Sequence, residues 1–443
     1  MGTKAALVTL LLVAAACTSS TPESTPAVST TAAPAATTTT ASTTTTLPAG
    51  VVTTSEATPG PTRSDTFTTL LPTAPDGEEF YVPPSEIPGI TGDVIWATEL
   101  DAVPGGRAFQ VLYRSQTTTG APSAVSGWIM VPDGSAPDGG FPVIAWAPDV
   151  AGLADPCAAT RQGLPTEAIP MLGELLSQGF VVATTDYQGL GTPGDHPFGV
   201  SAAEGQAVLD SVRAALQFVG GGNEVFLMGE GQGAHAAIAA AEQAPRYAPE
   251  LPVTGVVASA AEVFGADNEL VTARSGTPLQ GLIVMQAVGQ VTAFGEQEAP
   301  ATRWLTEGGA GLAELGRELC LDAYLAAFAP IDPATLFVEG APQPFASGAS
   351  RAAETEIGTQ PTFAPLLMLH GREDTVNTAA LAAAWAALAC ANEPVELVWF
   401  DSTDALFAEV GDAATSVVTR WLDDRLSGAP PIDQCGALPQ PND

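Results

Sequence analysis

Residues 224–228 (Glu-Val-Phe-Leu-Met) read as a buried strand that runs into Gly229-Glu230-Gly231-Gln232-Gly233 and then into an alanine-rich helix. Strand, tight turn and helix form the corner on which a nucleophilic serine is raised above a sheet edge. The outer glycines are needed because the backbones come too close for a Cβ. The centre of such a turn is strained by about 1–3 kcal/mol for a residue with a side chain, and glycine takes that geometry cheaply. Here the centre is Gly231, which carries no attacking atom. Glu230 stands one residue away from where a carboxylate nucleophile would have to be. The three histidines are His196, His235 and His370. His235 falls on the helix after the turn, His370 at a strand end beside Gly371, and His196 in a Gly-Asp-His-Pro turn. Each reads as a structural hydrogen-bonding ring. Glu230, Asp149, Asp374 and Asp404 could converge on a hard cation, but solvated acids are the simpler reading. With no CxxC and no Cys/His cluster, no zinc site is expected, and neither metal nor cofactor is called for.

The elements that must position this corner follow from the apolar runs. Strands are expected at 109–113, 127–131, 142–147, 180–184, 224–228, 253–258, 365–369 and 395–400. Several are continuous apolar runs, as in strands buried on both faces. Helical patterns cover 167–178, 201–219, 232–243, 378–389 and 412–426. Alternating strand and helix predicts a mostly parallel sheet with helices on both sides. Residues 264–363, with a helical piece at 310–328, interrupt the alternation and read as a helical cap over the C-terminal sheet edge, where open α/β sheets bind ligands.

Several further motifs, taken in order, carry a resemblance. Asp186-Tyr-Gln-Gly-Leu-Gly191, Val208-Leu-Asp-Ser-Val-Arg-Ala214, Gly229-Glu-Gly-Gln-Gly-Ala-His-Ala-Ala237 and Trp421-Leu-Asp-Asp-Arg425 with Cys435 resemble the secretory lipases, the cap-bearing lipases of fungi and actinobacteria. The resemblance covers roughly 95–436 and implies an α/β-hydrolase fold. It also implies where the chemistry should sit. The family's serine position is Gly231. Its acid is retained as Asp374 in Gly371-Arg-Glu-Asp374. Its histidine falls on Ala405, or on Asp404 if the register slips by one, and no histidine follows Asp374. The oxyanion positions are Asp149 and Gln232. In Trp146-Ala-Pro148-Asp149 the family's His-Gly is replaced, by a proline without an N–H and by an acid that would repel a developing oxyanion. Loss of the serine or the histidine alone costs about 10⁶-fold in a serine protease, so esterase turnover is expected to be at background.

Five cysteines are present. Lys4, an apolar run over 5–13 and Ala14-Ala15-Ala16-Cys17 read as a signal peptide (1–16) with a lipobox-like end, making Cys17 the lipidation site. The remaining Cys157, Cys320, Cys390 and Cys435 make an even set for an exported chain. Spacing leaves three pairings open, and the resemblance implies Cys157–Cys320 with Cys390–Cys435. Residues 17–75, rich in Thr, Ser, Ala and Pro, read as a disordered stalk, 76–436 as the hydrolase-fold domain and 437–443 as a tail.

The formal charge is −35, and Lys4 is the only lysine. Phosphate contacts need clustered Lys and Arg, so no nucleic-acid partner is expected. Membrane contact is expected through the lipid anchor alone, on the outer face of a bacterial membrane unless the chain is released. The reading that results is a pseudo-hydrolase holding an acyl or other hydrophobic ligand, its protein partners unknown. The alternatives are an active triacylglycerol lipase with displaced catalytic groups and an envelope interaction scaffold.

Overall fold

The apolar runs form the middle of a nine-stranded sheet of order β1-β2-β3-β5-β4-β6-β7-β8-β9. The structure is a computed structural model, and it describes residues 63–222, 224–262, 276–341, 356–358, 360–403 and 406–442. The proposed signal peptide, Cys17, the stalk up to residue 62, both candidate histidine positions (Asp404 and Ala405) and the cap stretches 264–275 and 342–355 lie outside the described residues.

The strands are β1 (Val94–Glu99), β2 (Gly106–Gln116), β3 (Pro122–Pro132), β4 (Val143–Ala147), β5 (Val181–Thr184), β6 (Val225–Glu230), β7 (Val253–Ser259), β8 (Leu366–Gly371) and β9 (Val395–Phe400). β1, β2, β3 and β5 pair antiparallel, and β5, β4, β6, β7, β8 and β9 pair parallel. Every residue of β4, β5 and β8 is buried, as continuous apolar strands require when helices cover both faces. On one face lie α2 (Ser201–Val219), α3 (Gln232–Tyr247) and α6 (Ala379–Ala389). On the other lie α1 (Leu172–Ser177) and α7 (Leu406–Leu426). The cap contributes α4 (Gln280–Phe294) and α5 (Leu321–Phe328), which share a separate core with Phe198, Trp304 and Leu336.

The topology selects a crevice. The chain leaves β4 for β5 on one side and leaves β6 for β7 on the other, while β4 and β6 lie side by side with Ala147 opposite Gly229. Connections that diverge from adjacent parallel strands open a cleft at their C-terminal ends. The loop carrying Asp149 and the turn carrying Gly231 bound that cleft.

Five expectations need correction. The helix expected over 167–178 is two pieces, Pro165–Ala168 and α1, because Pro170 lacks an N–H and Met171 takes φ +55°. The piece expected over 310–328 breaks into Glu307–Ala313, a 3₁₀ turn over Glu314–Arg317, and α5. α7 starts at Leu406 rather than at 412, with a non-helical Val410 (φ −120°, ψ 20°) beside Gly411. β1 was not anticipated, although Val94-Ile-Trp96 carries a short β-branched and aromatic signal. The stalk boundary at 75 falls too late: helix Arg63–Thr68 docks Phe67 edge-on against Phe218 at 5.0 Å and buries Ser64. The tail after 436 is also docked, with Pro439 O accepting from Trp399 Nε1 and Pro441 O from Arg372 Nε.

Candidate functional site

Gly231 holds φ +56°, ψ −118° between β6 and α3, a backbone conformation that side chains resist. Its N–H donates to Ser259 O, and its carbonyl accepts from Glu262 N and His235 N. The glycines on either side are obligatory. A Cβ on Gly229 would run into the Gly233 backbone, and one on Gly233 would run into Ala147 O. The corner is therefore built as a nucleophile elbow without a nucleophile.

Asp149 fills the vacancy. Its Oδ1 accepts from the backbone N–H of Gln232 (2.9 Å) and of Val150 (2.6 Å). The Gln232 amide is the donor that follows the nucleophile position, the one that stabilises the oxyanion in an acyl-transfer site. A Cβ built on Gly231 would overlap the Asp149 carboxylate, lying 2.7 Å from even its farther oxygen. One acid thus fills the space that a side chain at 231 would need and takes up the Gln232 N–H. The loop that carries it is held from below by Tyr187, whose hydroxyl donates to Pro148 O at 2.7 Å. Tyr187 sits at φ +67° and stacks on His196 (5.5 Å, 22°). Asp186 anchors the same segment, accepting from Ser126 Oγ, Thr160 Oγ1 and Thr160 N. Burial pushes its carboxyl up to about 6.

The other predicted residues are drawn apart. Asp374 Oδ1 accepts from the N–H groups of Val376 and Asn377 (2.8 and 2.7 Å), bracing its own loop. His370 Nε2 lies 2.6 Å from Asn377 O, so that nitrogen carries the proton and donates. The ring is 3.5 Å from Asp374 Oδ2, and burial holds it below the usual histidine range. Glu230 Oε1 accepts from Phe407 N at the start of α7 (3.3 Å), which takes it to a helix end and not to the cleft. His235 Nδ1 pairs with Glu204 at 2.7 Å behind the elbow. Glu204 also accepts from Gln232 Nε2 and Gly199 N. Gln232 Nε2 reaches His196 Nε2 at 2.9 Å, and His196 Nδ1 donates to Gln188 O. This buried network fixes the Gln232 side chain and so the amide that Asp149 uses. The sequence reading missed Glu204; its signal was a lone acid in the first turn of α2, between small apolar residues.

Above Gly231 and Asp149 lies a cavity of about 180 Å³ with walls from Val150, Leu279, Leu282, Leu321, Leu325 and Val376. Glu262, Asp322 and Asn377 supply the remaining polar lining, and among the described lining residues none is basic. A cavity of about 150 Å³ accommodates benzene, whereas drug-sized sites run from about 300 Å³. The space suits a small apolar group. Two of the wall segments, the Asp149 loop and the start of α5, are stapled together. Cys157 is bonded to Cys320, Leu321 N donates to Ala151 O, and Gly152 bridges Cys320. Cys390 is bonded to Cys435, so both pairings are those the resemblance implied.

Known proteins align with this architecture. The chain is 26% identical to Lipase 2 of Candida albicans over 356 residues, 74% of each chain. It is 27% identical to the secreted triacylglycerol lipase LIP7 of Malassezia globosa over 380 residues, 79% of each. A Mycobacterium tuberculosis protein named "Probable inactive lipase MT1628" is 26% identical over 208 residues, 42% of this chain and 46% of that one. Among solved structures, the closed state of Candida antarctica lipase A superposes with a TM-score of 0.65 at 22% identity, covering 81% of this chain and 88% of that one. That likeness establishes the α/β-hydrolase fold. The secretory lipase profile matches residues 164–434, a span that holds the elbow, the Asp374 loop and two of the four bonded cysteines, and the chain belongs to the secretory lipase family.

Proposed function

We propose that this chain is a non-hydrolysing member of its family, exported and tethered through Cys17, that binds a small hydrophobic ligand in the cavity above the elbow. The observation that carries the reading is the Asp149 carboxylate standing where the serine side chain would be and accepting the Gln232 amide. A carboxylate held by its own chain on the oxyanion donor leaves a substrate carbonyl neither an attacking oxygen nor that stabilising N–H. The relative named as an inactive lipase is consistent with this reading. The Candida albicans and Malassezia globosa relatives carry lipase names, and transfer of that activity is the competing reading.

The test is hydrolysis of short- and long-chain p-nitrophenyl esters by the purified protein. The expected rate equals that of buffer. Turnover that disappears on Glu230→Gln or His235→Ala would restore the lipase reading with displaced groups. The tether is tested separately: the chain should incorporate labelled palmitate and Cys17→Ser should not, and label retained in that variant would remove Cys17 as the anchor.

A further inference from the structure

We infer that Asp149 sets the charge preference of the cavity, which admits a small apolar molecule ending in an ammonium group and refuses carboxylates. The inference rests on the ligand-binding reading above and adds the chemical class. In a fold whose elbow amide ordinarily receives an oxyanion, a carboxylic acid would be a natural occupant, since free acids share the geometry of the acyl group. Here Asp149 Oδ1 already takes the Gln232 and Val150 N–H groups. An incoming carboxylate would meet a like charge and lose the two donors that could satisfy it. An ammonium placed over the same carboxylate gains a charge-assisted hydrogen bond. Glu262 and Asp322, which also line the cavity, act in the same direction, and the apolar body would lie along Leu282, Leu325 and Val376. The cavity of about 180 Å³ suits a body of about six or seven heavy atoms.

The probes are hexylammonium, 1-hexanol and hexanoate, titrated calorimetrically into the folded wild-type chain at pH 7.5. Hexylammonium should bind about tenfold tighter than hexanoate or better, the worth of one charged hydrogen bond, with hexanol between them. Asp149→Ala should raise hexanoate affinity about tenfold and narrow the ammonium preference to what Glu262 and Asp322 supply. Asp149→Asn, which keeps the side chain's size and an acceptor for Gln232 N, should narrow the preference to the same extent without enlarging the cavity. Hexanoate binding as tightly as hexylammonium to the wild type, or an unchanged preference in both variants, overturns the inference and leaves the ligand-binding reading in place. If hexanol and hexylammonium both fail to bind, the ligand-binding reading falls, and this inference with it.

Discussion

At position 231 the loss of a side chain and the gain of an acid 82 residues earlier in the chain are one event in space. Reversing the first alone should therefore fail. Gly231→Ser places a Cβ at φ +56°, which costs about 1–3 kcal/mol in strain. It also expels Asp149, which loses two hydrogen bonds of about 1.5–3 kcal/mol each as charged acceptors. Urea denaturation should show the single variant destabilised by about 3 kcal/mol or more. Gly231→Ser with Asp149→Ala should be more stable than Gly231→Ser alone, a favourable coupling of the kind contacting residues show. A Gly231→Ser loss below about 1 kcal/mol would mean that Asp149 does not hold that space. On the proposed non-hydrolysing reading, installing ester chemistry requires Asp149→Ala alongside Gly231→Ser and Ala405→His. The glycine-centred corner was legible because the spacing of Gly229, Gly231 and Gly233 after an apolar strand marks it. The occupant was not, because nothing local in the sequence brings the side chain of Asp149 to the amide of Gln232. Only the pairing of β4 with β6 does so.

The elements divide the site between a rigid floor and a stapled roof. The floor is the sheet edge, where Gly229, Gly233 and the Ala147 carbonyl pack backbone on backbone. The roof is α5, joined to the Asp149 loop by Cys157–Cys320, whose sequence separation is 163. Cys390–Cys435 closes only 45 residues and lies away from the cavity. The chain-entropy relation gives about 5 kcal/mol for the first bridge and about 4 for the second. Cys157→Ala with Cys320→Ala should thus lower the melting temperature more than Cys390→Ala with Cys435→Ala, and it alone should weaken hexylammonium binding. Equal loss of binding in both pairs would detach the first bridge from the pocket. The central strands were legible because strands buried on both faces are unbroken apolar runs. The cap was legible mainly as an interruption. Its helices are short and irregular, held by packing around Trp304, Tyr324 and Phe328, and that packing leaves little periodic trace.

Across the molecule, acidity and burial act together on the pH dependence of stability. Asp186 and Asp210 are buried, and desolvation lifts both carboxyls to about 6. Desolvation lifts Glu242 to about 7, with Glu393 nearby adding to the rise. Each folded-state value lies above the unfolded one, about 3.9 for Asp and 4.3 for Glu. Between those limits the folded chain binds more protons than the unfolded chain. The stability slope with pH is then negative: the contribution is fully present below about pH 4 and is lost as pH rises through 6 to 7. The net charge of −35 works in the same sense, since self-repulsion in the compact state weakens as carboxylates protonate. Few cations offset it, with 14 Lys and Arg against 49 Asp and Glu. The melting temperature should therefore be higher at pH 5 than at pH 8 by a few degrees, the reverse of a protein held by paired surface carboxylates. Glu242→Gln keeps an acceptor for Gly358 N and removes the group that titrates highest, so it should flatten the profile between pH 6 and 8. A profile that rises toward pH 8 in the wild type, or one that Glu242→Gln leaves unchanged in slope, would mean that these carboxyls are ionised in the fold at no cost.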